Sequence, residues 1–263
     1  MRPKVLCVTA HPADMFDVAG GTLIQHAEAG DEVHLLSVSP GVYSHSRSLL
    51  GPVKASVSYE EAMQIKLDEL KRAAELIEAK SWRCLPYKDE PLEITRQVII
   101  DIAQVIREVR PDILLTHHQG EMLHHDHGPV GLAALRAVTS AARWCEGLEQ
   151  PRHLVPAIYF FGFEFRTASA IMGWQPISPT HVVDITSTID RKMEALLCFE
   201  TQNYDADYAI WRKEKVDGGA AFAFGLEYAE WFIGFTPTVC KTLDVKINAS
   251  LSKLLQRNVV KDR

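Results

Sequence analysis

The sequence is short of positive charge. Its 263 residues carry 28 Lys and Arg against 34 Asp and Glu, a formal net charge of -6 with an isoelectric point near 6.0. That deficit argues against a nucleic-acid or anionic-membrane face, because neutralising phosphates takes clustered cations. It leaves room for a small anionic substrate in a locally positive pocket. Paired cysteines are missing as well. Cys7, Cys84, Cys145, Cys198 and Cys240 stand singly, with no Cys-x-x-Cys, in a chain far larger than disulfide-stapled domains, which reads as a reducing compartment. No apolar run reaches membrane-spanning length, and Val5 to Val8 is too short for a signal-peptide core. A soluble, cytoplasmic protein without a nucleic-acid or membrane partner is the expectation. Asn248-Ala249-Ser250 matches the glycosylation pattern, but without a secretory signal it carries no meaning.

What is present is enough apolar residue, 47%, to build one large α/β domain. Val5 to Thr9 predicts a strand, followed by a loop at His11-Pro12 and a helix from about Met15 to Ala29 that Gly30 stops. Val33 to Val38 predicts a second strand, and the Ser-rich stretch from Val42 to Ser58 a long irregular loop of the kind that is often functional. Helical spacing runs from Tyr59 to about Ala79 and from Ile94 to about Val109; Arg110-Pro111-Asp112 breaks it before a buried strand, Ile113 to Thr116. Pro129 suits the first turn of a further helix. Ala157 to Phe161 and Val182 to Ile185 follow as strands, and Ser187 to about Thr201 as a helix. Such alternation favours a single-domain, mainly parallel sheet with helices on both faces. Residues 1–245 are assigned to the catalytic domain and 246–263 to a C-terminal tail or assembly helix.

Two of the predicted strand ends carry metal-ligand chemistry. His11 and Asp14 sit on the loop after the first strand, where sites gather in open α/β sheets. A third ligand is available in the segment from His117 to His127, which holds five of the chain's eleven histidines at the end of another strand. Three protein ligands plus water is the usual catalytic zinc arrangement. Asp126, in His-x-Asp-His, is suited either to orienting a ligand ring or to accepting a proton. Gly20 and Gly21 cost about 1 kcal/mol each inside a helix; either close packing explains them or the helix begins after Gly21.

These residues resemble the LmbE-like, or PIG-L, family of zinc-dependent deacetylases, whose first motif reads Ala-His-Pro-Asp-Asp-Glu and whose second ends in His-x-Asp-His. Here the first is Ala10-His11-Pro12-Ala13-Asp14-Met15, followed by Ala19-Gly20-Gly21-Thr22. The resemblance runs from about Lys4 to Val138 and more weakly to Ala229-Glu230-Trp231-Phe232. It implies a Rossmann-like fold, a zinc ion (Zn2+) bound by His11, Asp14 and His127, His124 and Asp126 beside the metal, and a homo-oligomer. The departures are informative. The family's general base, the first Asp of the pair, is Ala13 in this chain, and Met15 replaces the Glu. Alanine cannot accept a proton, and general acid or base catalysis is typically worth about 10²- to 10⁴-fold.

One branch of that family, the 4-oxalomesaconate hydratases, lacks the same Asp and is also similar through Met172-Gly173-Trp174-Gln175-Pro176 and Val183-Asp184-Ile185-Thr186. That resemblance implies a metal-dependent hydratase of a small unsaturated oxo acid from aromatic catabolism. The alternative is amide hydrolysis of an amino sugar or related conjugate, with Asp126 or His124 replacing the lost base; a third reading is metal binding without catalysis. His45 and Glu164 are further candidates for acid or base, and Arg47, Lys54 and Arg166 for carboxylate clamps, Arg being the better bidentate partner.

Overall fold

The computed structural model describes residues 2–45, 57–121, 124–162, 179–222 and 224–235. The first strand, β1 (Lys4–Thr9), is apolar at consecutive positions from Val5 to Val8, as a strand covered on both faces must be. Parallel neighbours flank it: β2 (Glu32–Ser37) on one side and β4 (Ile113–His117) on the other. Beyond them lie β3 (Ser81–Cys84) and β5 (Ala157–Phe161), also parallel. Strand β7 (Ala229–Gly234) then joins β5 antiparallel, and β6 (His181–Asp184) pairs antiparallel with β7 at the edge. The full order is β3-β2-β1-β4-β5-β7-β6, a mixed sheet of seven strands whose parallel part matches the expected α/β class.

The pleat sends alternate residues of β1 into two cores. Val5 and Cys7 pack with helices α1 (Asp14–Glu28), α3 (Tyr59–Leu76) and α6 (Ile189–Leu196) through Phe16, Leu23, Leu70, Ala73 and Met193. Leu6 and Val8 pack on the other face with α4 (Arg96–Val109) and α5 (His127–Ala142) through Ile102, Ile106, Val130 and Ala134. Helices therefore cover both faces.

Helix starts follow local chemistry. Ser58 and Glu61 form a reciprocal capping box on α3, and the Thr95 hydroxyl accepts the Val98 N–H on α4. Helix α1 begins at Asp14, so Gly20 and Gly21 lie inside it. A side chain at Gly21 would stand 2.7 Å from Ile185, and one at Gly20 3.0 Å from Lys192. Close packing on the segment that enters α6, rather than a late helix start, is the reason for the pair. Gly131 of α5 has the same logic, because a Cβ there would collide with the His117 carbonyl oxygen at the end of β4.

The structure departs from the expected elements in three places. Val42–His45 is a helical turn, α2, because Asp89 accepts hydrogen bonds from Tyr43 N (3.2 Å), Ser44 N (2.7 Å) and Ser44 Oγ (2.6 Å). Strands β3 and β7 have too little regular apolar pattern to be found in the sequence; β3 is a half-exposed edge. The helix expected over 187–201 ends at Leu196 and gives way to a 3₁₀ turn, Glu200–Gln202. Short helices α7 (Ala206–Trp211) and α8 (Gly218–Phe222), joined by a π-helical turn over Arg212–Asp217, complete the described part. The segment 246–263 lies outside the described residues. Among the described residues, no helix is long and apolar enough to cross a membrane.

Candidate metal centre and active-site pocket

In the order β2-β1-β4, the chain crosses over between β1 and β4, and the loops leaving the C-terminal ends of these two strands meet outside the sheet. Open α/β sheets bind ligands at such a switch point. The first loop brings His11 and, at the start of α1, Asp14; the second brings His117, Glu121, His124, Asp126 and His127.

Asp14 Oδ2 is the hub. It accepts the His11 backbone N–H at 2.8 Å and lies 3.3 Å from His11 Nδ1, 3.3 Å from His117 Nε2 and 3.3 Å from His127 Nε2. His117 Nε2 is already engaged by the Ala10 N–H at 3.2 Å. His127 Nε2, by contrast, is buried and makes no hydrogen bond. Ligand atoms held 2.0–2.1 Å from a tetrahedral ion stand about 3.3–3.4 Å apart. The His11–Asp14 and Asp14–His127 separations are of that size.

Electrostatics favour a cation there. Burial disfavours the imidazolium of His127, but Asp14 and Glu121 outweigh it and push the pKa up to about 10. Burial likewise opposes charge on Asp14, yet His127 and His11 hold its carboxyl well below the usual carboxylate range. His11 is raised too, with burial overcome by Asp14 and Asp126. A proton at these nitrogens does what a divalent ion would do, and the sets whose ligand atoms all lie within 4.8 Å of one another include His11, Asp14 and His45; Asp14, His117 and His127; and His11, His124 and His127, so the cluster around Asp14 fits a metal.

The supporting contacts are equally specific. His127 Nδ1 faces both oxygens of Glu121 at 2.8 and 3.0 Å, and His117 Nδ1 lies 3.4 Å from Glu121 Oε2. A carboxylate behind a ligand histidine fixes its tautomer and raises its basicity. Glu121 itself is wedged by Gly162 (φ +95°), where any Cβ would fall 2.7 Å from Glu121 Oε2. Asp126 is fully buried, 3.2 Å from His11 Nε2, and accepts the Leu92 N–H at 2.6 Å and the Glu90 N–H at 3.1 Å. Burial raises its pKa, but His11 and these two N–H groups outweigh it, leaving a firmly ionised carboxylate.

A cavity of about 450 Å³ opens beside the centre, lined by Ser44, His45, Glu90, His124, His125 and the turn Thr201–Tyr204. His45 Nε2 is 3.3 Å from His11 Nδ1. Burial and the neighbouring His11 push the pKa of His45 down to about 2 and that of His124 to about 4. Both are neutral imidazoles at ordinary pH.

Six of the residues singled out in the sequence thus converge: His11, Asp14, His45, His124, Asp126 and His127. Arg47, Lys54, Glu164 and Arg166, and the stretch Met172 to Pro176, lie outside the described residues. Sequence reasoning missed His117, Glu121, Ser44, Asp89 and the turn Thr201–Tyr204. Glu121 sits inside the histidine-rich segment and was legible there. A second signal was Lys66, which falls on the apolar stripe of α3 between Ala62 and Leu70.

With this geometry in place, the motifs acquire a family. Residues 6–138 match the model described as PIG-L: GlcNAc-PI de-N-acetylase. The chain belongs to the PIG-L family. Among PIG-L relatives, it is 28% identical over 213 residues to a diacetylchitobiose deacetylase from Thermococcus kodakarensis, covering 79% of this chain and 73% of that one. It is also 28% identical over 248 residues to a 4-oxalmesaconate hydratase from Pseudomonas putida, covering 92% of this chain and 93% of that one. The solved structure of the 4-carboxy-2-hydroxymuconate hydratase from Pseudomonas putida KT2440 superposes with a TM-score of 0.74 at 25% identity, over 93% of this chain and all of that one. PIG-L family members are enzymes, hydratases and deacetylases, and this chain is one of that family.

Proposed function

We propose that this chain is a zinc-dependent hydratase that adds water across the double bond of a small unsaturated oxo acid of the 4-oxalomesaconate class. Ala13 is the observation that carries the reading. It is fully buried at the entry to α1, beside the Asp14 hub, and offers no proton acceptor where the family's deacetylases are expected to have one. The hydratase relative also spans more of the chain than the deacetylase relative does, at the same identity.

His11, Asp14 and His127 would hold the zinc, which supplies a Lewis acid for the oxo and carboxylate oxygens of the substrate. Every remaining role belongs to side chains. His45, neutral and next to His11, accepts a hydrogen bond from the attacking water and orients its oxygen toward the carbon β to the activating group, the proton that the water loses being the one delivered to the α carbon. His124 takes the Asp126 backbone N–H on its Nδ1 at 3.3 Å, which leaves its Nε2–H to donate to a substrate oxygen. A proton returned to the α carbon completes the addition. Asp126 orients the His11 ring and takes no proton, since three contacts hold it ionised. The substrate is a small anion, and a cytoplasmic homo-oligomer is the assembly proposed.

Amide hydrolysis is the competing reading, favoured by the family model's description and the diacetylchitobiose deacetylase. Zinc-loaded protein is given 4-oxalomesaconate and, separately, diacetylchitobiose. Loss of the conjugated chromophore without acetate release is the expected result; acetate release at enzymatic rates overturns the proposal.

A further inference from the structure

Helix α3 buries an ion pair in its apolar stripe. Lys66 is 0% and Glu69 1% exposed, with Lys66 Nζ 3.5 Å from Glu69 Oε2. Burying two charges is unfavourable unless their remaining hydrogen-bonding capacity is used. Here it is used on one turn. Glu69 accepts the Thr201 N–H at 2.8 Å and the Thr201 hydroxyl at 2.7 Å; Lys66 Nζ donates to Thr201 Oγ1 at 3.0 Å and to Gln202 Oε1 at 3.3 Å.

That last contact decides an orientation. An ammonium has donors only, so it selects the oxygen of the Gln202 amide and turns the NH₂ group away from α3. Gln202 lines the same cavity as His45 and His124, and its NH₂ donates to no described residue. Asn203, next in the wall, is in the left-handed region at φ +57°, a conformation that Asn tolerates better than most residues. Glu90, the acidic residue of the described lining, has His125 Nε2 3.8 Å away. The turn therefore offers the N–H donors of the Gln202 amide on a wall set in place from the core. Groups that only accept hydrogen bonds are what such a wall selects.

We infer that Gln202, its amide orientation set by the buried Lys66–Glu69 pair, binds a substrate carboxylate that is not engaged at the metal centre. The inference rests on the proposed substrate class, whose members carry more carboxylates than one metal with an open position can take up. Gln202 is a binding residue and Lys66 a positioning residue in this scheme.

The test uses zinc-loaded full-length protein and two probes, propane-1,2,3-tricarboxylate and its terminal monoamide, with binding followed by calorimetry. Both probes keep carboxylates for the metal, so their difference reports the second position. Wild type is expected to prefer the tricarboxylate by about 10-fold or more, the scale of one hydrogen bond to a charged group. Gln202→Glu keeps the contact with Lys66 but presents an acceptor to the cavity, and is expected to invert the preference. Lys66→Met, if it folds as judged by circular dichroism, is expected to bring the two affinities together, which a merely structural loss would not do. Equal affinities in wild type, or an unchanged preference in Gln202→Glu, overturn the inference. Turnover separates it from the proposed function: protein inert toward 4-oxalomesaconate that still inverts its preference keeps the inference and loses the hydratase reading.

Discussion

Glu121→Gln probes the metal centre without touching a proposed ligand. The wild-type carboxylate is buried and lies within 2.8 and 3.0 Å of His127 Nδ1 and 3.4 Å of His117 Nδ1. Burial alone would raise its pKa, but His117 and His127 outweigh burial and bring it down to about 2, so a full negative charge stands behind the ligand ring. The amide preserves shape and one acceptor oxygen while removing that charge. His127 Nε2 then becomes a weaker donor to metal, and its ring is held by one acceptor instead of two. Loss of such an outer contact typically lowers metal affinity by about 10- to 100-fold, so zinc binding should weaken by that factor. Competition with a chromophoric chelator near neutral pH measures it, with circular dichroism as the control for folding. A folded variant that binds zinc as tightly as wild type refutes the assignment of Glu121 and puts His127 in doubt as a ligand.

Three further outcomes follow from the same geometry. In protein stripped of metal, His127 has a folded pKa near 10 against an ordinary value of 6.5. Its contribution to stability is therefore complete below pH 6.5 and lost as pH rises through 10; denaturation midpoints with a chelator present should fall across that window and stay flatter with zinc bound. Lys192 lies between Asp217 (2.8 Å) and Glu230 (2.9 Å), all three fully buried, so Lys192→Met should cost about 3–5 kcal/mol, seen as a Tm lowered by roughly 10 °C; an unchanged Tm would contradict the pairing. Gly131→Ala forces a Cβ onto the His117 carbonyl, and overpacking of this kind costs about 1–3 kcal/mol; a melt indistinguishable from wild type would show that α5 is not seated as described.

Much of the parallel core was legible because strands buried on both faces write continuous apolar runs, as in Val5 to Val8 and Ile113 to Thr116. Helices α3 and α4 were legible from their period. The edge strand β3 and the antiparallel β7 were not, since their pairing depends on partners distant in sequence: β7 meets β5 some seventy residues earlier in the chain.

His11, Asp14 and His127 could be named as candidate ligands from the sequence because ligand chemistry restricts the residue types and the family motif restricts the spacing. Ala13 was likewise plain in the sequence, and the proposed hydratase reading rests on it. Only the tertiary structure decided that Asp14 Oδ2 is the shared centre, that Glu121 backs two imidazoles, and that Asp126 is tied to the Leu92 and Glu90 backbone. It also carried a buried Lys66 to the turn at Thr201, 135 residues away. Hydrogen-bond direction and burial belong to pairs of groups in space, whereas a motif records only what each residue is able to do.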